Sequence, residues 1–468
     1  MNLKYHVPMA RLLVVLAVLS LLVAACVAPA APPAQPPAED EQPAVAEEPA
    51  VAEEPAAAAE PVTIRLAMHQ HDPRIPIDEE LIAQFMEENP DITVEYEIVP
   101  DFFTTLNTMM ASGAGPDVFN HFTPFNAQYY LEGLLAPVDP AGWGFESVDE
   151  VEALYGEGEI ADNLLAGATY DGGLYGVPTE LSAYACFTND DLWKEAGLDP
   201  ATDFPTTWEE MVDVAEQLTV RDEDGNPVQR GFDFNWAGNL YMMLHFNPMV
   251  QQLGSTMVDD ENYTAHINTP EVKQVMSYWN DWVNTYNLGG PQYTGSRNAF
   301  QAGELATECS YGNWGAPLIE EAGINYSIHP QLRWADAVND SGFANFAFYL
   351  MVNSNADPAK QAAGWKLIAY LTAHPDRYLN EAGLFQPVAS YVASDDFAAN
   401  EIMPVFVDEI NKSFFHPRFV GFNETIDALA RMRDRIVIGG EDIDTVLAET
   451  DEEVNEILTR AKEDAAGQ

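Results

Sequence analysis

Two short runs place side chains that can grip a ligand at the ends of strand-like segments. His69-Gln70-His71-Asp72 follows the alternating stretch VTIRLAM at 62–68, and Asn120-His121-Phe122 follows Val118 and Phe119, with Phe125 one helical step on. Open α/β sheets carry ligands at the carboxyl ends of their strands, which makes these the first candidates. A third run, FDFNWAGNLYMML at 232–244, offers Asn235, Trp236, Asn239 and Tyr241. Rings beside amides, imidazoles and carboxylates suit noncovalent capture, because rings cover C–H faces while the polar groups bond hydroxyls. Covalent chemistry has no comparable signature. Neither G-x-S-x-G nor H-E-x-x-H occurs, and Cys and His show no zinc spacing. Asp222 to Asn226 reads as a turn, without the later glutamate of a calcium loop, so no metal and no cofactor is expected. Acids are so numerous that a carboxylate pair for glycoside hydrolysis carries little weight, and an enzyme is not expected.

The elements that must hold these residues follow from periodicity. VTIRLAM and ITVEYEIV alternate as strands. Between them Leu81, Ile82, Phe85 and Met86 recur at spacings of three and four, predicting a helix that begins at Asp78 after Pro73 and Pro76. A second helix is predicted from Phe102 to Ala111, stopped by Gly113, Gly115 and Pro116. Val118 and Phe119 then make a short buried strand, and a helix from Phe125 to Glu132 ends at Gly133. This β-α-β-α-β order predicts a parallel sheet with helices on both faces. Farther on, helices are expected over Trp208 to Leu218, capped by Thr206 or Thr207, over Val272 to Tyr286 and over Val446 to Ala461. Trp193, Trp208, Trp279, Trp282 and Trp365 lie at helical spacing and read as core.

The ends and the composition set the compartment. Lys4 and Arg11 precede an apolar run to Ala25 that is shorter than the ~20 residues of a membrane span, the pattern of a secretion signal over 1–25. Leu22-Val23-Ala24-Ala25-Cys26 resembles the lipobox of bacterial lipoproteins, which predicts acylation of Cys26 and a lipid anchor in the cell membrane, at the cell surface or in a periplasm. Residues 26–61, rich in Ala, Pro and Glu with AVAEEP repeated, cannot bury a core and read as a tether. The 468 residues hold 75 acids and 20 bases. Without the tether's eight acids and the leader's two bases, 67 and 18 remain, a net of −49. That balance argues against nucleic acid as a partner. Cys186 and Cys309 sit in apolar strand-like runs and are expected to be buried free thiols rather than a bridge.

The order of FMEENPDITVEYEIVP, MMASGAGPDVF, EGLLAPV, DGGLYGVPTELSAYACFTNDDLWKEAGLDP, PTTWEEM, NAFQAGELATECSYGNWGAP and NSNADPAKQAAGWKLIAYLTAHPDRYLNEAGLFQPV resembles the extracellular solute-binding proteins of ABC transporters. The closest group in pattern is the sugar-binding one that includes maltose-binding protein. The resemblance runs from about Val62 to Lys462. It implies the type II periplasmic-binding-protein fold, two α/β lobes joined by crossing strands with ligand held in the cleft. Lobe one is assigned to 62–178 and 342–388, lobe two to 179–341 and 389–468. It also implies ligand roles for His71, whose alternative is a turn cap, and for Asn120, His121, Phe122 and Phe125. His121 stands where maltose-binding-type sequences place an aromatic, and a structural histidine is its alternative. Glu180, Ser182 and Tyr184 fall at the crossover, where alternation puts all three on one face. Trp236 reads either as a stacking platform or as a buried tryptophan, with Asn239 beside it. Tyr293 resembles a family ligand tyrosine, Trp314 matches the family's recurrent stacking tryptophan, and Phe343, Asn345 and Phe346 follow the return crossing at Gly342. The function implied is capture of a solute, a neutral mono- or oligosaccharide or alternatively a cation such as a polyamine, by a monomer that delivers it to permease subunits. A secreted hydrolase and a surface scaffold are the readings from other classes.

Overall fold

A computed structural model describes residues 60–466 except 124, 414–416, 418 and 420. The leader, Cys26 and the tether up to residue 59 lie outside the described residues. Two five-stranded sheets organise the chain. In the first, Val62–Met68 pairs in parallel with Ile92–Ile98 and Val118–Phe122. Phe346–Val352 then adds antiparallel to Val118–Phe122, and Val177–Ser182 closes the far edge. In the second, Tyr184–Asn189 lies antiparallel to both Tyr326–His329 and Leu305–Gly312, and the latter runs parallel to Pro227–Phe232. The chain changes sheet at Ala183, so Glu180 and Ser182 belong to the first sheet, later than the expected boundary at 178.

Local sequence explains most elements. Helix Phe102–Ala111 ends as predicted, and Gly113 takes φ +72° while its N–H bonds the Met110 carbonyl, the left-handed stop that favours glycine. Helix Trp208–Leu218 carries a capping box in which Thr207 and Glu210 satisfy each other's backbone donors. The first helix starts at Ile75 rather than Asp78, because Pro76 sits in its opening turn, where a missing N–H costs nothing. The strand begun by Val118 runs on through Phe122, since Tyr349 and Phe348 pair with His121 and Phe122. Asn120, His121 and Phe122 are therefore inside the strand, not beyond its end.

One buried cluster joins Leu66, Phe85, Phe119 and Tyr349 to Phe187 and Tyr311. The other gathers Trp208, Phe232, Phe234, Trp279 and Trp282 with Leu429, Leu447 and Leu458 from the two last helices, Phe422–Val437 and Ile443–Ala466. The five tryptophans read as core are all fully buried.

The two cysteines correct the free-thiol expectation. Cys186 and Cys309 are joined by a disulfide, S–S 2.02 Å. Their strands are antiparallel neighbours, and the register that pairs Thr307 with Thr188 and Glu308 with Phe187 continues to set Cys309 opposite Cys186, ahead of the irregularity before Tyr311. A sequence separation of 123 hides this proximity, and burial in an apolar strand is as compatible with a bridge as with a thiol.

Candidate functional site

A cavity of about 420 Å³ lies between the two sheets. Five segments of the first sheet and its helices reach it: His69 to Asp72 after the first strand, Phe103, Phe122, Glu180, and Phe346 with Phe348. From the other side come Tyr184, Arg297, Trp314 and Leu318, and the segment carrying Leu240, Tyr241 and Leu244; Leu384 completes the wall. Phe122, Phe346 and Phe348 face it together because Phe348 pairs with Phe122 across the ladder, and Phe346 is two residues away on the same face. Residues Met242–Phe246 form a π-turn, one residue wider than an α-turn, just after Tyr241.

Trp314 and Arg297 form a unit. The guanidinium carbon sits 4.7 Å from the Trp314 ring centroid and within 5.5 Å of those of Tyr241 and Tyr311. Arg297 Nε donates to the Ser310 carbonyl at 3.0 Å, which fixes the side chain against the rings. The cation thus backs one face of Trp314.

On the opposite side the polar groups are braced from behind. Asn120 accepts the His69 backbone N–H at 3.1 Å and donates to His69 Nδ1 at 2.5 Å, while His69 stacks on Phe348 at 4.4 Å. His71 Nε2 donates to the Ala382 carbonyl at 2.9 Å, and burial lowers its pKa to about 4, so it is neutral. Arg74 pairs with Asp78 at 3.1 Å, and Tyr96 and Tyr378 donate to that same carboxylate.

Glu180 is 4 % exposed, and its carboxylate has no hydrogen-bond partner among the described residues. Burial pushes its pKa from the ordinary 4.5 up to about 7, against the opposing pull of Arg74. A raised acid pKa means the folded state holds the proton more tightly than the unfolded state. The stability from that proton is fully present below pH 4.5 and is lost as pH rises through 7. Glu180→Gln, which does not titrate, is expected to flatten this decline and to be more stable than wild type at pH 8; denaturant midpoints between pH 5 and 8 check it, and parallel curves would contradict it.

Of the residues singled out from sequence, His69, Gln70, His71, Asp72, Phe122, Glu180, Tyr184, Tyr241, Trp314 and Phe346 come together on this cavity. The rest have other places. His121 lies behind the wall rather than on it: it stacks on Phe122 at 5.6 Å and meets Phe103, Phe125 and Tyr129 edge-on, so its departure from an aromatic is not a feature of the cavity lining. Phe125 packs on Phe122 and Phe422. Ser182 donates to Asn313 at 3.0 Å because the chain has turned toward the other sheet at Ala183. Trp236 donates to Asp233 at 2.7 Å and packs on Trp279, the buried-tryptophan alternative. Asn239 donates to Asp427 at 2.6 Å, and Tyr293 lies beneath Arg230. Phe343 stacks on His245 at 4.2 Å, and Asn345 is 2 % exposed off the cavity wall. Arg297, Phe348, Leu244 and Leu384 had not been singled out. Alternation from Phe346 points to Phe348, and Arg297 shares a helical face with the landmark Phe300.

A family model described as bacterial extracellular solute-binding protein matches residues 73–378. The chain belongs to this family. Solute-binding proteins are binders, not enzymes, and the two-sheet architecture with a cavity between the sheets is theirs. Among curated relatives, the maltotriose-binding protein of Pyrococcus abyssi is 19% identical over 355 residues, 75% of this chain and 72% of that one. Among solved structures, the solute-binding protein of Thermotoga lettingae bound with α-D-tagatose matches with a TM-score of 0.71 at 19% identity, covering 85% of this chain and 99% of that one. The maltose/maltodextrin-binding domain of Bdellovibrio bacteriovorus bound to maltotriose matches at 0.69 and 18%, covering 85% and 100%. These likenesses establish the type II periplasmic-binding-protein fold for this solute-binding protein. No helix of the described residues is long and apolar enough to cross a membrane.

Proposed function

We propose that this chain captures a neutral mono- or oligosaccharide for an ABC importer, closing two lobes over it and delivering it to membrane permease subunits. The observation that carries the reading is the meeting, in one cavity, of the Arg297-backed Trp314 ring with Glu180, a buried carboxylate without a hydrogen-bond partner among the described residues. A ring face covers the C–H surface of a pyranose, and an unpaired carboxylate accepts its hydroxyls. Relatives named for maltotriose and neighbours holding tagatose or maltotriose support a carbohydrate. Ligand would bias the two lobes toward closure through its contacts to both. Acylated Cys26 would hold the monomer at the outer face of the cell membrane, with residues 27–61 as the tether.

A cationic solute is the second reading, favoured by Glu180 and Asp72 on the wall. Arg297 in the same cavity works against it by like-charge repulsion. Thermal-shift measurements on the full chain with sugars, polyamines and amino acids separate the two. A ligand at a hundred times its Kd adds about 2.7 kcal/mol to stability. A rise with one or more sugars is expected; silence across the sugars with a response to polyamines would overturn the first reading.

A further inference from the structure

Four phenylalanines crowd one side of the cavity. Phe122 lies 5.2 Å from Phe348 and 4.8 Å from Phe103, and Phe346 lies 5.9 Å from Phe348, so the rings form one packed cluster whose exposed edges reach the cavity. Phe103 is 37 % exposed, a large apolar ring on the cavity wall. Phenylalanine carries neither hydroxyl nor N–H, so these rings recognise carbon alone. Leu240, Leu244, Leu318 and Leu384 continue the cavity lining and offer no hydrogen-bond partner either.

A bare sugar matches this wall poorly. A pyranose presents C–H groups on its two faces and hydroxyls around its edge, and Trp314 with one opposing ring is enough for the faces. Hydroxyls directed at Phe103, Phe122 or the leucines would be buried without partners, which is costly. A flat hydrocarbon group in the same place would instead remove apolar surface from water on both sides.

We infer that the ligand is a glycoside bearing an aromatic aglycone, with its sugar between Trp314 and Glu180 and its aryl group on the Phe103, Phe122, Phe346 and Phe348 surface. This rests on the carbohydrate reading and names the class of carbohydrate. The cavity offers both kinds of anchor: Glu180, Tyr184, Tyr241 and Arg297 supply hydrogen bonds with the run from His69 to Asp72 beside them, and the phenylalanines supply none, Phe348 being the cross-strand neighbour of Glu180.

The test is isothermal titration of the full chain with matched pairs, the methyl and the p-nitrophenyl glycoside of the same glucose, galactose and maltose. In at least one pair the p-nitrophenyl member is expected to bind tenfold or more tighter than the methyl member. Phe103→Ser, at a position exposed enough to leave folding intact, and separately Leu240→Asn, are expected to cut that ratio below threefold. Equal affinities within every pair that binds would overturn the aryl assignment and leave the carbohydrate reading standing. An unchanged ratio in both variants would overturn it too, as would p-nitrophenol alone binding as tightly as its glycoside. No binding by either member of any pair would remove the carbohydrate reading for these sugars and the aryl assignment with it.

Discussion

A chain with serine at both Cys186 and Cys309 is expected to be about 3–5 kcal/mol less stable than wild type. The bridge closes a loop across a sequence separation of 123, and in the chain-entropy account a loop that long restricts the unfolded ensemble by roughly 4–5 kcal/mol. Both sulfurs are almost completely buried, so the serine hydroxyls would add a desolvation cost; alanine at both positions isolates the loop effect. The strands that it ties also lead into the cavity, Cys186 two residues after Tyr184 and Cys309 shortly before Trp314. Denaturant midpoints with and without reductant measure the effect. Equal midpoints, with thiol titration showing the bridge fully reduced, would contradict it.

Trp314→Ala is expected to weaken ligand binding by about 2 kcal/mol, roughly thirtyfold in Kd, the range of a buried aromatic anchor. The ring lines the cavity and is only partly buried, with Arg297 on one face and Tyr311 edge-on at 5.3 Å. Its Nε1–H is buried without an acceptor among the described residues, so truncation removes an unsatisfied donor as well as packing. The loss in folding stability should therefore be small beside the loss in affinity. Trp314→Phe keeps a stacking face and should recover much of the binding. Titration calorimetry together with a denaturation curve reads both quantities, and unchanged affinity in a folded Trp314→Ala protein would remove Trp314 from the site.

Where a local signal decides an element, sequence was enough. Helices Phe102–Ala111 and Trp208–Leu218 have the predicted bounds, because a left-handed glycine and a capping box are both written within a few residues. Where a distant partner decides, it was not. Val118 and Phe119 look like a two-residue strand until Phe346–Val352 extends the ladder to Phe122. That pairing, which no short window contains, places His121 inside the ladder opposite Tyr349. The cavity itself shows the same division. Glu180, Tyr184 and Trp314 were legible because they stand in recognisable runs at the crossing strands. Arg297 and Leu384 reach the wall only through tertiary packing. The disulfide is the clearest example of a contact set by strand neighbourhood and invisible in composition.

The π-turn at Met242–Phe246 carries a consequence for how this binding surface changes over generations. A π-turn holds one residue more than the α-turn it interrupts. Loss of a single codon there would let the segment close as ordinary α-helix, turning Leu240 and Tyr241 by about 100° relative to the following helix Asn247–Gln252. Two wall residues would be exchanged for their neighbours in one step, with the buried Pro248 and Met249 that follow left in place. Length variation at this turn, more than substitution at any one position, offers this scaffold its shortest route from one ligand to another.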